Sequence, residues 1–105
     1  MPNKRGKGKR AKRFSGVVLD GHKGLAFEVP FSPAVRWGSS PVRLWPRRRG
    51  FPVRGTVNGI RFESVVVGRS KRFFVLVTRE LKRDARLEAG AAVKVSLEAM
   101  PEEDG

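Results

Sequence analysis

The stretch 53–67, VRGTVNGIRFESVVV, constrains this chain more than any other. Two alternating runs flank Asn58-Gly59, a dipeptide that tolerates the positive φ angles of a type I′ turn and so marks a two-residue β-hairpin. With Asn58 and Gly59 as the loop, Val57 falls opposite Ile60, Thr56 opposite Arg61, Gly55 opposite Phe62 and Arg54 opposite Glu63. Val57, Ile60 and Phe62 then share an apolar face, while Thr56, Arg61, Arg54 and Glu63 share a polar one. A slip of one residue drives Arg54 and Arg61 into the core, so the register is specified. Gly55 leaves bare backbone for the Phe62 ring to cover.

The remaining segments read as short strands between turn signals. Residues 13–19 form a first strand, 20–24 a turn and 25–29 a second strand ended by Pro30. In 31–38, FSPAVRWG, Ser32 suits an N-cap and Pro33 the first helical position. Residues 42–45 read as a short strand held to an edge by Pro41 and Pro46, with 47–50 as a loop leading into the hairpin. Residues 73–77 are almost unbroken apolar and should be the most buried strand. A helix over 79–89 puts Leu81, Ala85 and Ala89 on one stripe and ends at Gly90, and 93–97 is the closing strand. The pattern predicts a mainly all-β fold: a small closed or nearly closed barrel of six to seven strands, with one short helix before the last strand. Closure also removes the edges that a valine-rich sheet would otherwise expose.

On these residues the body resembles a small bacterial barrel family, the domain of unknown function DUF1905. The resemblance runs through Phe14 with Gly16, Val29-Pro30-Phe31, Trp37-Gly38, the 53–59 hairpin with Phe62, the 77–83 run VTRELKR, Gly90, and the 93–98 run VKVSLE. Relative to that pattern Ala91 replaces an aspartate, 39–51 looks like an insertion and the basic arm like an addition. The resemblance implies the barrel and buries Trp37; it implies no active site.

Composition enters through charge. Lys and Arg number 23 against 10 acids, a net charge of +13. Residues 1–13 alone hold Lys4, Arg5, Lys7, Lys9, Arg10, Lys12 and Arg13 without one acid. Residues 1–12 have hardly any apolar side chains and read as a disordered basic tail, 13–99 as the barrel domain and 100–105 as an acidic end. An excess of cations concerns polyanionic partners rather than fold. A second basic cluster, Trp45-Pro46-Arg47-Arg48-Arg49-Gly50-Phe51, sets three guanidinium groups between two aromatics. Arginine suits bidentate phosphate contact, and Trp45 and Phe51 either stack on unpaired bases or anchor the loop in the core.

Chemistry by other routes finds little support. The chain has no cysteine and one histidine, His22, in a glycine-flanked turn, which leaves no triad spacing or zinc set. Asp84 with Glu80 or Glu88 reads as a solvated helix face among Lys82, Arg83 and Arg86. Gly6-Lys7-Gly8 has no strand before it, and GxxxxGK[ST] is absent. No run is long enough to span a bilayer, and no signal segment is present, so a cytoplasmic location is expected. The expectation is therefore a non-enzymatic protein without metal or cofactor that binds nucleic acid, RNA ahead of DNA, with a large ribonucleoprotein as one setting. Its rival is a barrel that holds a small ligand or peptide, the tail serving only as a targeting signal. A filled apolar interior favours the first, and a pocket of convergent polar groups the second.

Overall fold

The structure is a computed structural model that describes residues 11–21 and 24–101. Along the chain come β1 (Lys12–Asp20), β2 (Leu25–Val29), α1 (Pro33–Trp37), β3 (Val42–Trp45), β4 (Arg48–Val57), β5 (Ile60–Arg69), β6 (Arg72–Leu76), α2 (Arg79–Ala85) and β7 (Ala92–Ala99). The strands follow the order β3-β4-β5-β6-β2-β1-β7, and β4 also pairs with β7. Six strands thus close on themselves, and β3 rides on the edge that β4 extends beyond them. The mainly-β barrel with a short helix before its last strand is as the sequence predicts.

The β4–β5 hairpin forms in the predicted register, with Val57 opposite Ile60 and Arg54 opposite Glu63. Its tip does more than turn the chain. Asn58 adopts φ 51° and Gly59 φ 84°. The Asn58 N–H donates to the Lys94 carbonyl at 2.8 Å, and its Oδ1 accepts from the Lys94 N–H at 2.9 Å. A turn residue therefore carries the β4–β7 ladder one step past its last strand pair.

That ladder is the closing seam, and it gives Gly55 a second role besides facing Phe62. Gly55 pairs with Phe62 on one side and Leu97 on the other. A Cβ there would overlap the Ser96 carbonyl oxygen, so only glycine lets β7 approach.

Side chains fill the barrel. Phe27, Val53, Val57, Val66, Val75 and Leu97 are fully buried, and no polar or charged side chain is buried among the described residues. Both helices add a side chain to this core, Trp37 from α1 and Leu81 from α2. Ser32 Oγ accepts from the Val35 N–H at 3.4 Å and caps α1, whose Trp37 is buried with its ring 5.1 Å from Phe31 in a T-shaped pair. The predicted burial of Trp37 holds.

Three local readings are corrected. Residues 48–50 are strand, not loop, because β3 pairs with them: Val42 faces Gly50 and Arg43 faces Arg49. Helix α2 ends at Ala85 rather than Ala89. Arg86 turns left-handed at φ 54°, its N–H bonding the Arg83 and Lys82 carbonyls, and the turn sends Leu87 into the core while Ala89 stays exposed. Strand β6 is not the most buried: Phe74 and Val75 are buried, but Phe73 and Leu76 are only half so. In β7 every second residue from Val93 to Ala99 is buried.

Candidate nucleic-acid interface

The β3–β4 hairpin is where cations gather. Its two-residue loop is Pro46-Arg47, and Arg47 sits at φ 69°, a conformation that glycine or asparagine would adopt with less strain. The pairing shifts between Arg43 and Trp45, so Trp45 faces Arg48 across a bulge. Arg43 and Arg49 are cross-strand partners and stand on one face. Like charges so placed repel unless an anion lies between them.

No such anion comes from the hairpin, since 42–57 contains no acidic residue. The ion pairs among the described residues are Arg54 with Glu98 at 2.6 Å, Arg72 with Glu28 at 3.8 Å and Arg83 with Asp84 at 3.0 Å. Arg43, Arg47, Arg48 and Arg49 take part in none. Of these, Arg48 is half-buried and the other three are exposed.

The hairpin is firmly seated nonetheless. Leu44 packs against a small cluster of Ala26, Val67 and Phe74 on the outside of the wall. Gly50 is buried, and a Cβ on it would come within 2.6 Å of the Val66 carbonyl oxygen and 2.7 Å of the Leu44 side chain. Closeness of β3, β4 and β5 at this point fixes where the arginines project.

The two aromatics that bracket the arginines separate. Trp45 is 49% exposed and free to offer a face. Phe51 is 8% exposed and meets Phe73 in a T-shaped pair at 6.4 Å, so it belongs to the core. Of the two roles the sequence leaves open for Phe51, its burial fits the core anchor. Its strand position explains this: Phe51 faces Val66 in the closed wall, whereas Trp45 lies beyond it.

Of the arm, Lys4, Arg5, Lys7, Lys9 and Arg10 lie outside the described residues, as does His22. Lys12 and Arg13 belong to β1. Lys12 faces Leu97 and is half-buried; Arg13 faces Ser96 and is exposed. Within this hairpin, Arg43 is the cation that the sequence analysis does not single out. Its signal was alternation in a strand whose partner was unknown. The helix carboxylates behave as the solvated face expected of them: Asp84 accepts from Arg83 Nε, and that hydrogen bond raises the Arg83 pKa above its ordinary value.

No helix among the described residues is long and apolar enough to cross a membrane. The family model of a domain of unknown function, DUF1905, matches residues 14–97. No curated protein matches the chain.

Proposed function

This chain belongs to the DUF1905 family of domains of unknown function, and from the surface that its barrel displays we propose that it is a non-enzymatic nucleic-acid-binding protein. The β3–β4 hairpin and the N-terminal arm grip phosphates, and Trp45 stacks on an unpaired base. One observation carries this reading: four arginines and an exposed tryptophan on a seated hairpin without an acid. Arginine forks fit phosphate oxygens, and an aromatic face beside them is the usual single-strand platform. Unstacked bases are commonest in RNA loops and ends, which favours RNA over DNA. A cytoplasmic setting, and a place within a larger ribonucleoprotein, belong to the same proposal.

The filled interior supports this reading over a ligand-holding barrel, because no convergent polar set faces inward among the described residues.

The test is a salt titration of the full chain with fluorescent ten-nucleotide oligouridylate and its DNA counterpart, followed by anisotropy. Log affinity should fall linearly with log salt. Changing Arg43, Arg47, Arg48 and Arg49 together to alanine should lower the slope by about three, at ~0.7 for each single-strand contact. Deleting residues 1–10 should lower it further. Absence of binding by the intact chain at low salt would remove the proposal.

A further inference from the structure

A second cationic surface lies on the barrel wall, away from the arginine hairpin. Along β1, β7, β4 and β5 the residues Phe14, Val95, Val57 and Phe62 pack into the core, so their alternating neighbours face out. Register then sets a row across four strands. Arg13 faces Ser96, Ser96 faces Thr56, and Thr56 faces Arg61. In the adjacent row Ser15 faces Lys94.

On the opposite flank lie Glu98, Arg54 and Glu63, again cross-strand partners. The Arg54–Glu98 pair at 2.6 Å, with Glu63 on the other side of Arg54, neutralises that flank from within. Arg13, Arg61 and Lys94 are exposed and have no ion-pair partner among the described residues. A groove of about 370 Å³ runs between Arg13 and Lys94, with Ser15, Thr56, Ser96 and the Gly59 turn at its rim and Phe14 and Val95 beneath; Arg61 stands outside it, one strand beyond Thr56.

We infer that this groove holds the sugar–phosphate backbone of a single-stranded nucleic acid. Arg13, Lys94 and Arg61 neutralise its phosphates, and the hydroxyls of Ser15, Thr56 and Ser96 donate to phosphate oxygens between them. Phe14 in the groove packs against the core, and the charges and short hydroxyl donors around it read backbone rather than bases. The groove also lies in line with the hairpin. Arg48 and Thr56 share one face of β4, eight residues apart, which is roughly 26 Å of strand. Arg54, with Glu98 and Glu63 as its cross-strand partners, stands on that face between the two, so the groove is a contact separate from the hairpin. The row of Glu98, Arg54 and Glu63 bounds the groove on the side that faces the hairpin.

This inference rests on the nucleic-acid reading, so its test must fail separately from it. The probe is ten-nucleotide oligouridylate, titrated into the full ¹⁵N-labelled chain and, by anisotropy, into the variant carrying Arg13→Gln, Arg61→Gln and Lys94→Gln. Amide signals of Lys94, Ser96 and Thr56 should shift together with those of the β3–β4 hairpin. The variant should lose about tenfold to a hundredfold in affinity at low salt. Its salt slope should fall by about two, from three contacts at ~0.7 each. Its melting temperature should stay that of the parent, since all three side chains are exposed. Shifts confined to the hairpin, with an unchanged slope in the variant, would overturn the groove and leave the hairpin reading standing. No binding by the intact chain would overturn both. Displacement of the oligonucleotide by polyglutamate or tripolyphosphate at equal charge would overturn the occupant assigned to the groove.

Discussion

Strand β4 ends in two hairpins of opposite construction. At its C-terminal end, Asn58-Gly59 suits a type I′ turn, and Asn58 ties the tip to Lys94 through both its N–H and its Oδ1. At its N-terminal end, Pro46-Arg47 puts a long cationic residue where φ is positive and stacks arginine opposite arginine. The first hairpin satisfies its local preferences and closes the barrel. The second opposes several of them at once, which is the pattern expected where a surface is kept for a partner rather than for stability.

The contrast can be broken at its strongest point by Gly55→Ala. The added Cβ would displace the Ser96 backbone at the β4–β7 seam, and the variant should lose about 4 kcal/mol, the exceptional end for one substitution. Urea unfolding measures this. A midpoint near that of the parent would mean that the seam tolerates a Cβ and that closure does not depend on this glycine.

Next come the two aromatics around the arginines. Phe51→Ala should cost roughly 3 kcal/mol or more, because a buried ring leaves a cavity behind. Trp45→Ala should change stability by under about 1 kcal/mol, yet weaken single-strand binding by about 1–3 kcal/mol. Thermal unfolding and anisotropy on the same pair of variants separate these roles. Equal losses of stability would place Trp45 in the core and erase the difference between the hairpins.

A smaller effect sharpens the other end. Asn58→Ala should cost about 2 kcal/mol, combining positive φ with loss of the acceptor for the Lys94 N–H. Asn58→Gly keeps the φ and should cost about 1 kcal/mol, the hydrogen bond alone. Denaturant midpoints of the two variants in parallel test this. If both lose the same amount, the tie to Lys94 carries all of the effect and the turn geometry none.

How far each region could be read from sequence follows from where its information lies. Asn58-Gly59 and its flanking alternation are local, so the whole 54–63 register was readable. Strands β2 and β3 were too, bounded as they are by Pro30, Pro41 and Pro46. Arg48 and Arg49 read as loop because nothing in RRRG alternates; their strand state is conferred by β3, a partner that the chain reveals only when folded. The ending of α2 turned on a choice between Leu87 and Ala89 for the core, and the larger side chain won by forcing Arg86 left-handed. The same limit applied to the candidate site. The arginine run was visible as composition, but the separation of Trp45 from Phe51 depends on where the wall of the barrel stops. The row of Arg13, Ser96, Thr56 and Arg61 joins four strands and has no trace in any one segment.

The smallest expected effect bears most directly on why the two hairpins differ. Arg47 is held at φ 69°, where a residue with a Cβ is strained by roughly 1 kcal/mol relative to glycine. Arg47→Gly should therefore stabilise the barrel by up to about 1 kcal/mol, less the greater freedom that glycine has when unfolded. If the hairpin is built for phosphates, the same change should reduce the salt slope by about 0.7, one single-strand contact. Gain in one assay and loss in the other is the signature of a residue retained for binding against its own conformational preference. Arg47→Asn separates the causes, since it tolerates the left-handed turn but removes the charge, and it should follow glycine in both assays. Loss of stability in both variants would show that Arg47 supports the hairpin through contacts of its own side chain. A slope unchanged in both would remove Arg47 from the phosphate surface while leaving Arg43, Arg48 and Arg49 to be tested.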